Sequence, residues 1–174
     1  MRKEILFSVL FAGLAAFVAL GISQAAGTEM GQKLSLKLEA YGSAKTTASG
    51  EARFELSRNG DGLHYDIDVK ELKDVRMAHI HEFKDGKPGG IIAWLYPAPG
   101  SKPYEWTGTF SGSLGAGVLT RDRIEGPAAG KTVKDLFEML EHGGAVVAIH
   151  TKANHDGELA GLARSAKKET KGGY

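Results

Sequence analysis

The sequence predicts an all-β domain: an antiparallel Greek-key sandwich of two sheets, with one short helix. Three observations carry this expectation. About eight short runs alternate apolar and polar residues or are continuously apolar, as strands do. Turn-forming Gly, Asn, Asp and Pro separate them at regular intervals. One stretch alone, Lys131 to His142, changes to helical spacing.

Before the first strand stands a leader. Met1-Arg2-Lys3 is followed by an apolar run from Ile5 to Ile22 and then Ser23-Gln24-Ala25-Ala26. A basic start, a hydrophobic middle and small residues at the cut are the layout of a secretory signal. The expected cut follows Ala25, giving a signal over residues 1–25 and a polar linker over 26–33. An uncleaved membrane anchor is the alternative, because the run is long enough to approach a membrane span. Both readings export the globular part, to the periplasm, the cell surface or the medium. The 174-residue chain has no cysteine, so an exported domain here relies on its core rather than on disulfides. Its formal charge of +1 disappears with Arg2, Lys3 and Glu4. A neutral domain lacks the basic footprint that nucleic-acid binding needs.

The domain itself is expected over residues 34–164. Leu34, Leu36 and Leu38 share one face of the first strand. Tyr41 to Gly50 is a loop, and Glu51–Leu56 alternates again. Asn59-Gly60-Asp61-Gly62 is a tight turn, since these residues tolerate positive φ. Leu63, Tyr65, Ile67 and Val69 then point inward, leaving His64 exposed. Next comes Met77-Ala78-His79-Ile80-His81-Glu82-Phe83, a turn through Asp85–Gly90, and the apolar run Ile91–Tyr96, which suits a strand covered on both sides. Pro97, Pro99 and Pro103 bracket a crossing loop. Trp106–Phe110 reads as a strand and Gly112–Gly117 as flexible. Val133, Leu136, Phe137 and Leu140 recur at helical spacing, with Thr132 as N-cap and Gly143-Gly144 as terminator. His142 at the helix end serves the dipole. Ala145–His150 is a strand, Thr151–Glu158 a turn, and Leu159–Ala163 the last strand. The lysine-rich residues 165–174 are expected to be disordered.

The chemistry-bearing residues are histidines. Residues two apart in a strand share a face, roughly 6.6 Å apart along the backbone, so His79 and His81 face one way while Ala78 and Ile80 face the core. His150 ends another apolar strand and completes a three-imidazole metal site if the two strands adjoin. The bland alternative is a pair of solvent-facing histidines. His155, in the following loop, is a candidate fourth ligand or an ordinary loop residue. Three imidazoles suit copper, zinc or nickel, and the affinity order of divalent ions favours Cu(II). The lack of a Gly-x-Ser-x-Gly elbow, of any cysteine and of carboxylates that spacing would pair argues against a hydrolase.

Gly50-Glu51-Ala52-Arg53-Phe54, Leu63-His64-Tyr65-Asp66-Ile67, Ala78-His79-Ile80-His81, Ala148-Ile149-His150-Thr151 with Asn154, and Gly157-Glu158-Leu159-Ala160-Gly161 occur in this order. From about Leu34 to Ala163 the chain thereby resembles the CHRD (chordin-type) domain. Asn154-His155-Asp156-Gly157 stands where that family usually has Asn-Pro-Gly-Gly. The resemblance implies an exported immunoglobulin-like sandwich that binds partners. A shorter segment, His79-Ile80-His81-Glu82-Phe83 with Asp85, resembles the copper-ligand strand of copper/zinc superoxide dismutase, and His150 corresponds to that family's last copper ligand. It implies copper on His79, His81 and His150. No histidine lies between His81 and His142, so the bridging ligand and zinc loop of that enzyme have no counterpart. Three functions follow as expectations: an exported metal-binding module, copper favoured; a metal-free module for an extracellular protein or glycan; and a superoxide-disproportionating enzyme, for which the sequence shows no basic approach.

Overall fold

The computed structural model describes residues 31–98, 101 and 106–163. The expected signal, most of the linker and the expected disordered tail lie outside them. The described chain is antiparallel β-structure with one helix, in the order β1 (Lys33–Ala40), β2 (Ser49–Leu56), β3 (Leu63–Lys73), β4 (Val75–Lys84), β5 (Lys87–Tyr96), β6 (Thr109–Leu119), α1 (Val133–Glu141), β7 (Ala145–Thr151) and β8 (Leu159–Leu162). Two 3-10 turns, Arg121–Arg123 and Gly126–Ala128, lie between β6 and the helix.

In place of two separate sheets, the strands form one continuous sheet of eight, ordered β5-β4-β7-β8-β1-β2-β3-β6. The junction is β1. Its Lys33–Leu38 segment pairs with β2, and Glu39–Ala40 pairs with β8. Gly161 lets β8 come close, because a Cβ there would stand 2.7 Å from the Leu38 side chain and 3.0 Å from the Lys37 carbonyl oxygen. The sheet curls until its ends meet. Tyr65 of β3 donates its hydroxyl proton to the Leu95 carbonyl of β5 at 2.9 Å, and the Glu125 amide donates to the Ile92 carbonyl at 2.8 Å. Carbonyls on the outer edge of β5 are thus occupied, which blunts an edge that would otherwise template aggregation. After β5 and β6, β7 returns to the free side of β4, a Greek-key connection.

Alternation is respected where it was predicted. Leu36, Leu38, Ala52, Phe54, Leu63, Tyr65, Ile67 and Val69 are buried in one core, while His64 is exposed. The turn between β4 and β5 is shorter than expected. Asp85 and Gly86 both have positive φ, 53° and 78°, the requirement of a two-residue type I′ hairpin turn, and Lys87–Gly90 already belongs to β5. The glycine-rich Gly112–Gly117 is not a flexible link but the middle of β6, and Trp106 precedes that strand and packs on Phe110 with ring centroids 4.5 Å apart. Its glycines are needed by neighbours rather than by mobility. A Cβ on Gly117 would stand 3.0 Å from the Tyr65 hydroxyl, and one on Gly115 would stand 3.2 Å from the Leu95 carbonyl. These are the two groups joined by the hydrogen bond that closes the curl.

The helix follows its predicted spacing. Val133, Leu136, Phe137 and Leu140 are buried in the core, where the helix lies against β2, β3 and β7. The Asp135 amide donates to the Thr132 hydroxyl at 3.1 Å and the Thr132 amide to the Asp135 carboxylate at 2.7 Å, a reciprocal capping box. His142, the C-cap, is exposed, and its Nδ1 meets the Glu138 carbonyl at 2.8 Å.

Candidate metal centre

β4 and β7 lie side by side and antiparallel. Ala78 faces Ile149 and Ile80 faces Val147, and these four enter the core. The alternate residues therefore point to the outer surface of the sheet. There His79 lies opposite Ala148, His81 opposite Val146, and His150 opposite Met77. Ala148 stands at the centre of this patch, and its small side chain leaves room for rings above it. His79 and His150 have centroids 5.2 Å apart, His79 and His81 5.5 Å, and His81 and His150 5.5 Å. One ligand nitrogen from each lies within 4.8 Å of the other two. The strand pairing thus brings together the three histidines singled out in the sequence.

Two of the rings are oriented by the backbone. His81 Nδ1 is 3.0 Å from the Gly89 carbonyl oxygen, across the β4–β5 hairpin. His150 Nδ1 is 2.7 Å from the carbonyl oxygen of His155. A carbonyl can only accept, so each Nδ1 carries the proton and each neutral ring keeps its lone pair on Nε2. Those two Nε2 atoms stand 3.4 Å apart. For two nitrogens bound to one ion at the 2.0–2.1 Å usual for imidazole and at tetrahedral angles, the separation is about 3.3 Å. Second-partner bonds of this kind from ring N–H to carbonyl are the usual support of metal-bound histidine.

His79 is different. It is 2 % exposed, and both of its ring nitrogens are buried without a hydrogen-bond partner. Only ring packing holds it, chiefly the indole of Trp94, which meets it edge-on with centroids 4.2 Å apart and planes at 81°. Burial, then the neighbouring His150 and His81 rings, push its pKa down to about 3. Burial also lowers that of His150, partly offset by the bond to the His155 carbonyl. Both rings are therefore held toward the neutral form that a metal requires.

The other histidines lie elsewhere. The ring of His155 is exposed and is not one of the three grouped ligands; what that residue contributes is its backbone carbonyl. His64 is on β3, in the other half of the sheet. Trp94, 38 % exposed, escaped the sequence reading because its run looked covered on both sides. The Gly89 and His155 carbonyls carry no signal in a sequence at all.

A family model for the CHRD domain matches residues 30–162. No curated protein and no solved structure matches the chain. Among the described residues no helix is long and apolar enough to cross a membrane. The match spans nearly all of the folded part, including both histidine strands and the Gly157-Glu158 corner, so the chain belongs to the CHRD-domain family.

Proposed function

We propose that this protein is an exported binding module that holds one transition-metal ion, copper, on His79, His81 and His150. One observation carries the proposal: two Nε2 lone pairs face each other at 3.4 Å, their rings fixed by carbonyls, beside a third buried ring whose nitrogens have no partner. Neutral lone pairs turned toward one another repel, and a buried polar atom without a partner costs stability. A shared cation relieves both. Imidazole donors suit copper, nickel and zinc, and Cu(II) heads the divalent affinity order. Three protein nitrogens leave a coordination position for water or for a ligand from a partner. Export is supported by the leader-like start of the chain and by the family's association with extracellular proteins.

The test is elemental analysis of protein recovered from its native compartment, followed by titration with Cu(II) and Zn(II) under chelator competition. One equivalent of copper is expected, with His81→Ala abolishing tight binding and His64→Ala leaving it unchanged. Stoichiometric zinc that copper does not displace would overturn the choice of metal. Failure of every divalent ion to bind would overturn the site and leave the module to an extracellular protein or glycan partner.

A further inference from the structure

The loop from β7 to β8 contains a buried carboxylate that the metal site does not touch. Glu158 is 6 % exposed. Its Oε2 accepts from the Thr151 hydroxyl at 2.6 Å and from the Asn154 amide group at 2.9 Å. Among the described residues it has no ion-pair partner. A carboxylate placed out of water with only neutral donors is costly and is rarely retained without a reason.

Its bonds show what it holds. Asn154 is gripped from several sides: its own amide donates to the Thr151 hydroxyl at 3.2 Å, and its carbonyl accepts from the amides of Thr151 at 3.3 Å and Gly157 at 3.2 Å. The next residue is His155, whose carbonyl orients His150. The chain of contacts therefore runs from Glu158 through Asn154 to the His155 carbonyl, to His150 Nδ1, and so to the Nε2 that faces His81.

We infer that Glu158 is a positioning residue of the metal centre: through Asn154 it fixes the carbonyl that sets the tautomer and direction of His150. The inference rests on the metal-binding reading above.

The experiment measures Cu(II) affinity and the electron paramagnetic resonance spectrum of the full chain, its Glu158→Gln and Asn154→Ala variants, and His64→Ala as control. Replacing such outer partners costs about 10- to 100-fold in metal affinity. That loss is expected for Glu158→Gln and for Asn154→Ala, together with an altered copper spectrum. His64→Ala, on β3 in the other half of the sheet, should bind as the parent does. If Glu158→Gln does not fold, Asn154→Ala decides alone, because its side chain is only half-buried. Parent-like affinity and spectrum in the folded variants would overturn the inference while leaving the three-histidine site standing. A parent chain that binds no metal would remove both.

Discussion

The curled sheet has two outer surfaces of opposite character, built by the same alternation. On β2 and β3, Glu51, Arg53, Asp66 and Asp68 point outward while Ala52, Phe54, Tyr65 and Ile67 point into the core. Arg53 lies across from Asp66, with Glu51 across from Asp68, and its guanidinium bonds to all three carboxylates, to Glu51 at 2.9 Å. Every charge there has a partner and all are in water. On β4 and β7 the outward residues include His79, Val146 and Ala148, at 2 %, 1 % and 2 % exposure. The ring nitrogens of His79 on that surface are shielded from water and have nothing to bond. The first surface is ordinary solvated sheet. The second holds two buried ring nitrogens without a partner, the arrangement on which the proposed metal site rests.

The largest effect that separates core from surface is on β4 itself. Ile80 is fully buried between His79 and His81 in sequence but on the opposite face. Ile80→Ala should cost about 2–5 kcal/mol through lost contacts and a cavity, measured by denaturant unfolding of the metal-free protein. One residue away the sign should reverse. His79→Leu removes two unsatisfied buried nitrogens and keeps an apolar group of similar size. The metal-free protein should gain about 1–3 kcal/mol, the desolvation penalty of such a group, and the variant should no longer bind Cu(II) tightly. A His79→Leu protein less stable than the parent would show that the ring is a packing element instead.

How far the sequence reveals these faces depends on what each piece needs. Strands whose side chains alternate on a wet-and-dry boundary, such as Leu63–Val69, are legible because burial follows period two. β6 is not, since its glycines report the reach of Tyr65 toward Leu95, a contact between strands distant in the chain. Continuity of the sheet was equally hidden: it depends on β1 changing partners at Glu39, beside Gly161, and no local pattern marks that exchange. His79 and His81 are legible as a pair from their spacing alone. Their meeting with His150 depends on β4 and β7 being neighbours, which local periodicity cannot give and the family resemblance implied. That this outer face is shielded from water is invisible to alternation, which assigns sides but not solvent.

A finer separation comes from pH. His79 titrates at about 3 in the folded metal-free protein and near 6.5 in an unfolded chain. Between those values the unfolded state holds a proton that the folded state refuses, so stability rises with pH and is lost as pH falls through the window. His150 faces the same ring, and burial lowers its pKa too, in the same direction. The difference in unfolding free energy between the parent and His79→Leu should therefore widen from pH 6.5 down to about 5, where most carboxylates are still ionised. A constant difference over that range would mean that the folded protein accommodates the charged ring.

The smallest effect belongs to the solvated face, and it completes the contrast. Arg53→Ala leaves Glu51, Asp66 and Asp68 as neighbours without their shared cation. These groups are more than a third exposed, so water and salt screen both the attraction lost and the repulsion created. The melting temperature of Arg53→Ala should fall by less than that of Ile80→Ala, and the gap from the parent should shrink as ionic strength rises from about 0.1 M to about 1 M, where the screening length contracts from about 10 Å to about 3 Å. Metal affinity should be unchanged, because the cluster lies on the β2–β3 half of the sheet and the histidines on the β4–β7 half. A loss as large as that of the core variant, insensitive to salt, would mean that the charged face is not solvated, and the distinction between the two surfaces would collapse.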